Sequence, residues 1–348
     1  MPVIYAVIIL LALLALAGIL YEAGAEAADR KRFPPPGRIF PAGGARLHLL
    51  VEGERAPGAP VVLLESGQGS WSLAWRELQP QIAGFARVLA YDRAGLGWST
   101  RGTPPRTPER MVAELHALLH DAGEPGPYVL VGQGMSASLV RLFAARFPQE
   151  TAALVLIDPL HERLESYLPA TARSFKRLVA RSRAAGILAR FGLARLVGPR
   201  LLRRVSPGSG SPALGGQPDP QALLTSQTFT PHFFEGLASE CQAFLRPENW
   251  QGLPGTLGDL FLVIIAPESP PAAPPGIPPA DWEAASRGTQ AMRADLLGLS
   301  TRSHLFTVEA GSDPAADHPE TVLAAVQAAV EISALRPAGS PGIVHEQP

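Results

Sequence analysis

The sequence predicts an α/β protein, in which a mostly parallel sheet is flanked by helices and follows a membrane-spanning segment. Short continuous apolar runs, such as residues 61–64 and 153–157, are typical of strands buried on both faces. Amphipathic helical stretches alternate with these runs, which is the order expected of a parallel sheet. An uncharged run of 19 residues, 3–21, is long enough to cross a hydrocarbon core of about 30 Å.

Residues 1–32 are predicted to form a membrane anchor whose span is 3–21. The first basic cluster, residues 30–32, follows the span, and the positive-inside tendency therefore places the soluble part in the cytoplasm. The alternative is a secretory signal cleaved at the small residues near 23–27, which makes the protein secreted or periplasmic.

The elements after the anchor follow from local patterns. A hairpin is expected around the turn at residues 42–44, and later strands end at Tyr91 and near Ala266. A helix is expected from Trp71 to Ala83. Thr107 is the expected N-cap of the next helix, and Val322, Val326 and Val330 form the inner face of the last one.

Composition limits the possible functions. The 348 residues are 46% hydrophobic, which is enough for one large core, and the net charge of −1 argues against general nucleic-acid binding. The single cysteine, Cys241, excludes an internal disulfide. The sequence has no metal-ligand cluster, phosphate loop or dinucleotide fingerprint, so no metal and no cofactor are predicted. No pattern specifies an oligomeric state.

Residues 128–147 combine a strand, a glycine-rich turn and a helix. With the segments VVLLESGQGS, RVLAYDRAGLGWS and RLFAARFPQETAALVLIDPLHE, this stretch resembles the α/β-hydrolase superfamily (AB hydrolase-1 type), particularly its membrane-anchored bacterial members. The resemblance implies an eight-stranded α/β-hydrolase core over residues 33–159 and 259–335. It also implies a helical cap at 160–258, and residues 336–348 are expected to be a disordered tail.

The resemblance places the family's catalytic groups at positions where this chain has other residues. Gly134 stands at the serine position of the nucleophile elbow and has no atom that can attack a carbonyl. Ser312 stands at the histidine position, counted back from residues 317–320. Glu268 is the possible acid, because it is the only carboxylate between the strand ending near Ala266 and Asp281. No intact catalytic set is predicted.

The backbone groups of an oxyanion hole do not depend on side-chain identity and are expected to survive. Gly67, Gln68, Gln133 and Met135 are the predicted oxyanion and pocket residues, around a capped pocket for a small apolar or acyl ligand. Ser136 is expected to form a local hydrogen bond at the N-terminus of its helix.

The cap contains a basic amphipathic stretch. Residues 171–205 hold ten basic residues and no acidic one, interleaved with apolar residues at helical spacing. This pattern suits a surface resting on anionic lipid. The alternative is an ordinary cap helix that packs its apolar face on the pocket and exposes its arginines to water.

Three functions follow from these observations. The first is a catalytically impaired relative of serine ester hydrolases that binds a small ligand. The second is an active ester hydrolase that uses unconventional residues, such as Ser136 or Glu268. The third is a non-catalytic, membrane-bound interaction protein.

Overall fold

The computed structural model describes residues 1–198, 220–268, 278–311 and 313–335. Eight strands form one sheet in the order β1-β2-β4-β3-β5-β6-β7-β8. Their bounds are Arg38–Ala42, Ala45–Glu52, Val61–Glu65, Val88–Tyr91, Tyr128–Gln133, Thr151–Ile157, Phe261–Pro267 and Ser303–Val308, for β1 to β8. Strand β2 runs antiparallel to β1 and β4, and all other neighbours are parallel. The predicted mostly parallel, eight-stranded sheet is confirmed.

The helices in chain order are α1 Pro2–Arg32, α2 Gln79–Ala83, α3 Pro108–Ala122, α4 Ser136–Arg146, α5 Leu164–Tyr167, α6 Pro169–Arg190, α7 Pro220–Thr228, α8 Pro231–Phe244, α9 Pro279–Leu297, α10 Pro314–Asp317 and α11 Pro319–Ala334. Thr107 caps α3 as expected, since its side chain accepts a hydrogen bond from the Arg110 N–H. Residues 193–198 are also helical.

Two apolar layers cover the sheet. On one face Leu63, Leu130 and Leu154 belong to the same buried cluster as Leu118 of α3 and Phe143 of α4. On the other face Val62, Val131 and Val155 share a cluster with Ile82 of α2 and Val326 of α11. Both faces of the central strands are therefore buried, which explains why their sequences are continuous apolar runs.

One predicted helix is wrong. Instead of a single helix from Trp71 to Ala83, the structure has a 3₁₀ turn, Ser72–Trp75, followed by α2. Pro80 explains the break, because proline has no N–H for an intrahelical bond and its ring clashes with the preceding turn. It is tolerated as the second residue of α2, where no such bond is required.

Helices α5 to α8 lie in the insertion between β6 and β7, at residues 160–258. Helix α8 packs directly on the loop after β4, where Gly95 faces Gly236: a Cβ on Gly236 would lie 3.1 Å from the Gly95 carbonyl oxygen. The predicted tail, residues 336–348, lies outside the described residues.

Helix α1 is the one described helix that is long and apolar enough to cross a membrane. Its apolar side chains up to Tyr21 are largely exposed, as expected of a segment that meets lipid. It continues without interruption to Arg32, so the candidate span and residues 22–32 form one helix.

Candidate active site

The turn between β5 and α4 has the geometry of a nucleophile elbow. Gly134 adopts a left-handed conformation with φ +59°. Its N–H donates to the Ile157 carbonyl at 3.0 Å, and its own carbonyl accepts from the Leu160 N–H at 3.0 Å. Both backbone groups are therefore held by the end of β6, and a glycine tolerates this conformation without strain.

Gln68 lies next to the position of the missing side chain. A Cβ added to Gly134 would be 3.1 Å from Gln68 Oε1, while one on Gly67 would be 3.8 Å from Gln133 Oε1. Gln133 also donates to Asp313 Oδ1 at 3.3 Å, which joins the elbow to the loop before α10. The neutral amide of Gln68 thus lies at the position that a nucleophile occupies in related elbows, with the amide of Gln133 nearby.

These residues line a cleft of about 780 Å³. Its polar lining includes Gln68, Gln133, Asp158 and Asp313. Its apolar lining consists of Ala74, Leu78, Leu160, Ala315 and Ala316. A cleft of this size can accommodate a small organic ligand.

Asp158 is the unusual carboxylate of the cleft. It follows β6 with φ +42°, the one non-glycine residue with positive φ in the described part of the chain. Although its side chain reaches water, loss of hydration inside the cleft raises its pKa, and the negative charge of Asp313 adds to the effect. The positive charge of Arg293 opposes both effects, because it favours the ionised carboxylate. Strain of this kind clusters at functional sites and supports Asp158 as a site candidate, which the sequence resemblance already offers as a lesser alternative to Glu268 for the acid.

The structure brings some predicted site residues together and separates others. Gly67, Gln68, Gln133 and Gly134 share the cleft, whereas Met135 lines a different cavity beneath the insertion. Glu268 is exposed and its N–H donates to the Val308 carbonyl. It is absent from the described lining of the cleft. Ser312 lies outside the described residues.

Histidine is absent from the described lining of the cleft. His161 is buried and lies 3.0 Å from Asp295 and 3.3 Å from Glu162, and burial lowers its pKa. His318 sits at the start of α11, 3.4 Å from Glu320. No histidine therefore faces the elbow in the part of the site that the structure describes.

Ser136 differs from its expected role. Its hydroxyl is buried and donates to the Ser66 carbonyl at 2.6 Å, so it bonds across to the loop after β3 rather than locally in its own helix. The difference arises because the elbow packs this first helical turn against that loop. Ser136 is also absent from the described lining of the cleft beside Gly134.

A buried ion cluster fills the space between the elbow and α8. Arg93, which follows β4, forms ion pairs with Glu65 at the end of β3 and Glu240 of α8; all three side chains are at most 3% exposed. Both Arg93–Glu240 contacts are hydrogen bonds, of 2.7 and 3.0 Å. Tyr91 donates to the second oxygen of Glu65, whose pKa is raised by burial despite Arg93.

Arg93 also fixes the loop after β3. It donates to the carbonyls of Ser66 and Gly67 at 2.6 and 2.8 Å. The loop carbonyls therefore face the guanidinium, and the same side chain connects β3, β4 and α8. Such a fully satisfied polar network holds its members in one arrangement.

Little space remains between the elbow and α8 among the described residues. The cavity between Arg93, Met135, Leu139, Phe244 and Trp250 has a volume of about 10 Å³, which is room for about one water molecule. An acyl chain does not fit there in this conformation. Within the described residues, no group of three His, Cys, Asp or Glu side chains could hold a metal ion.

The sheet order, the left-handed turn between β5 and α4, and the helical insertion after β6 together define an α/β-hydrolase fold. A family model described as the alpha/beta hydrolase fold matches residues 60–192. The crystal structure of DBJA superposes with a TM-score of 0.62 at 19% identity, covering 86% of this chain and all of that one. The chain therefore has the α/β-hydrolase fold that its sequence resemblance implied.

Curated relatives match this chain over part of their length. An uncharacterized Bacillus subtilis protein, YqjL, is 33% identical over 98 residues, which cover 28% of this chain and 39% of that protein. The 2-hydroxy-6-oxo-2,4-heptadienoate hydrolase of Pseudomonas putida is 37% identical over 124 residues, covering 35% of this chain and 44% of the hydrolase. The chain thus spans less than half the length of these relatives.

Proposed function

We propose that the protein is a membrane-anchored member of the superfamily that does not hydrolyse esters and instead binds a small acyl ligand at the elbow. The observation that carries this proposal is Gly134, which keeps the left-handed turn without supplying a nucleophile, in a cleft whose described lining has no histidine. Loss of the nucleophile alone costs a serine hydrolase roughly 10⁶ in rate.

The ligand has a carbonyl group and a short apolar part. The amides of Met135 and Gln68 are the candidate donors to its carbonyl oxygen, because they occupy the oxyanion-hole positions of the fold. The apolar part rests against Leu78, Leu160 and Ala315 in the cleft. Since the cavity beneath the insertion holds about 10 Å³, a long chain has no place there.

The hydrolysis test uses the purified full-length protein in detergent with p-nitrophenyl butyrate. We expect release of p-nitrophenol at the buffer rate. Turnover above that rate, abolished in Ser136→Ala or Glu268→Gln, would instead establish the unconventional hydrolase. The geometry favours the first outcome, because Ser136 donates to a carbonyl and Glu268 is outside the described cleft lining.

The binding test uses methyl butyrate as the probe and saturation-transfer NMR as the measurement. Ala316→Trp fills the cleft from α10 and is expected to abolish the signal. Ala170→Trp, at an equally exposed alanine of α6 outside the cleft lining, is the matched control and should retain it. Absence of a signal in the unaltered protein refutes ligand binding.

That last result would favour the second candidate, a non-catalytic membrane-bound interaction protein. The specific observation in its favour is the nearly filled cavity beneath the insertion, with Met135 among its lining residues. A protein that only presents surfaces to a partner does not require an internal pocket.

The membrane part of the proposal rests on α1. We propose that residues 3–21 are a retained single-pass anchor with the soluble domain on the cytoplasmic side, because residues 30–32 are basic. Resistance to carbonate extraction tests the anchor. Protease protection in sealed vesicles tests the side, and a protected domain or a cleaved N-terminus favours the secreted or periplasmic alternative.

A further inference from the structure

The end of the candidate span touches the insertion closely. A Cβ on Gly18 would lie 2.6 Å from the Phe191 carbonyl oxygen, and a Cβ on Gly192 would lie 2.5 Å from the Tyr21 ring. Two glycines therefore permit a contact that side chains would prevent. This contact places residues 191–192 at the level of the last turn of the uncharged run.

An ion cluster one turn further along α1 fixes this arrangement. Arg195, with its side chain 9% exposed, donates to both oxygens of Glu22 at 3.1 and 3.2 Å and also pairs with Asp29. The Glu22 side chain is 4% exposed. Because a planar guanidinium bound to two carboxylates has little freedom, the insertion is held at a defined angle to α1.

Apolar side chains surround this contact on the insertion. We call them the apolar rim: Ile187, Leu188, Leu193, Leu196 and Val197, which are between 46 and 58% exposed. Both sides of residues 191–192 thus carry large apolar groups that face outward. A contiguous exposed set of this kind marks an interaction surface more often than scattered single residues do.

The level of the rim follows from helix geometry. A helix of 19 residues rises about 28 Å, close to the thickness of a hydrocarbon core. When residues 3–21 span the core, Gly18 and Tyr21 lie at its boundary, and the rim beside them lies there too. Exposed basic residues lie beside the rim on α6: Arg181 and Arg183 precede it, and Arg190 lies between its members, as expected of headgroup contacts next to an inserted apolar segment.

We propose that the apolar rim is inserted into the interfacial layer of an anionic bilayer. The protein is then attached through two adjacent elements, the span and the rim, and its domain keeps a fixed orientation to the membrane. This inference depends on the anchor proposed above. The occupant is lipid rather than a second copy of the chain, because the rim is continuous with the span itself.

The test places an environment-sensitive NBD label at the rim through Leu193→Cys in the full-length protein. Cys241 does not compete for labelling, because it is buried and burial raises its pKa to about 12. Phe306→Cys is the matched control, since Phe306 is 41% exposed and lies on the edge strand β8. Both variants are reconstituted in phosphatidylcholine vesicles with and without phosphatidylserine, and with lipids carrying a doxyl quencher.

We expect blue-shifted emission and doxyl quenching at position 193, stronger with phosphatidylserine, and neither at position 306. Equal quenching at the two positions overturns the proposal. A blue shift at 193 without doxyl quenching also overturns it and indicates burial against a second copy. Carbonate extraction of the same vesicles separates the two proposals. A protein that is extracted refutes the membrane anchor. A protein that is retained but whose NBD label at position 193 is not quenched refutes only the insertion of the apolar rim.

Discussion

Replacing Arg93 by methionine tests whether the buried ion cluster holds the insertion closed over the elbow. The change keeps much of the side-chain volume but removes the cation between Glu65 and Glu240, which are at most 2% exposed. It also removes the donors to the carbonyls of Ser66 and Gly67. Two carboxylates then face each other in the interior without a positive charge.

The expected cost follows from this geometry. Breaking a buried ion pair by removing one partner destabilises a protein by about 3–5 kcal/mol, and Arg93 has two such partners. At roughly 2 °C per kcal/mol for a large domain, the melting temperature should fall by roughly 6–10 °C. Amide hydrogen exchange in α8 should also accelerate, because Glu240 is its buried contact with the core.

The pH dependence has a definite sign. Burial already raises the pKa of Glu65, and without the cation it rises further above its unfolded value, so the native state binds this proton more tightly. The loss of stability is therefore largest near about pH 8 and shrinks toward about pH 5. Glu65→Gln combined with Glu240→Gln should restore much of the stability of Arg93→Met.

The measurement is thermal unfolding of the full-length protein in detergent. Lys176→Met is the control, because its ion pair with Glu165 is more than half exposed and exposed pairs contribute under about 1 kcal/mol. If Arg93→Met melts within the range of that control at about pH 8, the cluster does not stabilise the closed insertion.

Three further changes test other contacts. Gly134→Ser should lower the free energy of unfolding by about 1–2 kcal/mol, because φ is +59° and Gln68 is 3.1 Å from the new Cβ. It should not produce esterase activity. Adding Gln68→Ala should recover part of the loss in melting temperature. Burial lowers the pKa of His232 to about 4, so the native state binds fewer protons than the unfolded state and loses stability as pH falls from about 6.5 to 4. His232→Gln should reduce this acid loss, which is roughly 3 kcal/mol at most. Arg195→Gln should increase protease cleavage near residue 192 in vesicles, whereas Arg190→Gln, in an exposed pair, should not.

Each of these outcomes has a clear opposite. An unchanged melting temperature in Gly134→Ser would mean that the turn relaxes to accept a side chain. Identical acid profiles for His232→Gln and the unaltered protein would assign the acid loss to other groups. Equal cleavage of the two arginine variants would mean that the contact between α1 and the insertion does not depend on its buried ion cluster.

Local sequence patterns were sufficient to predict the buried strands and the turn at the elbow. Residues 61–64 and 128–131 are apolar without interruption because both faces of these strands are covered, and Gly134 marks a turn that needs positive φ. One continuous helix was expected from Trp71 to Ala83, but the structure has two short helical segments there, and Pro80 marks the start of the second.

The contents of the site could not be predicted in the same way. Arg93 and Glu240 are 147 positions apart, and neither stands in a local pattern that specifies a partner. Ser136 likewise bonds to Ser66, 70 positions away. Such contacts depend on how the insertion packs on the core, and the available signal was limited to charged residues at strand ends, such as Glu65 in β3 and Arg93 after β4.

Helix α8 connects the core to the insertion through its inner face. Glu240 binds Arg93, and one turn earlier Gly236 packs against the backbone of Gly95. A hydrolase with its pocket under this helix needs the helix to move when substrate enters. Here Arg93 lines the space under this helix and would have to move, yet it also holds the loop after β3.

The outer side of the insertion is fixed as well, through Arg195 and Glu22 of α1. With both sides held, access to the elbow among the described residues is through the open cleft beside Gly134. Restoring the family residues by Gln133→His, Gly134→Ser and Ser312→His should therefore yield activity on short p-nitrophenyl esters but little on long ones. Comparable rates on acetate and palmitate esters would contradict this reasoning, because the long chain has no room in the cavity of about 10 Å³ beneath the insertion.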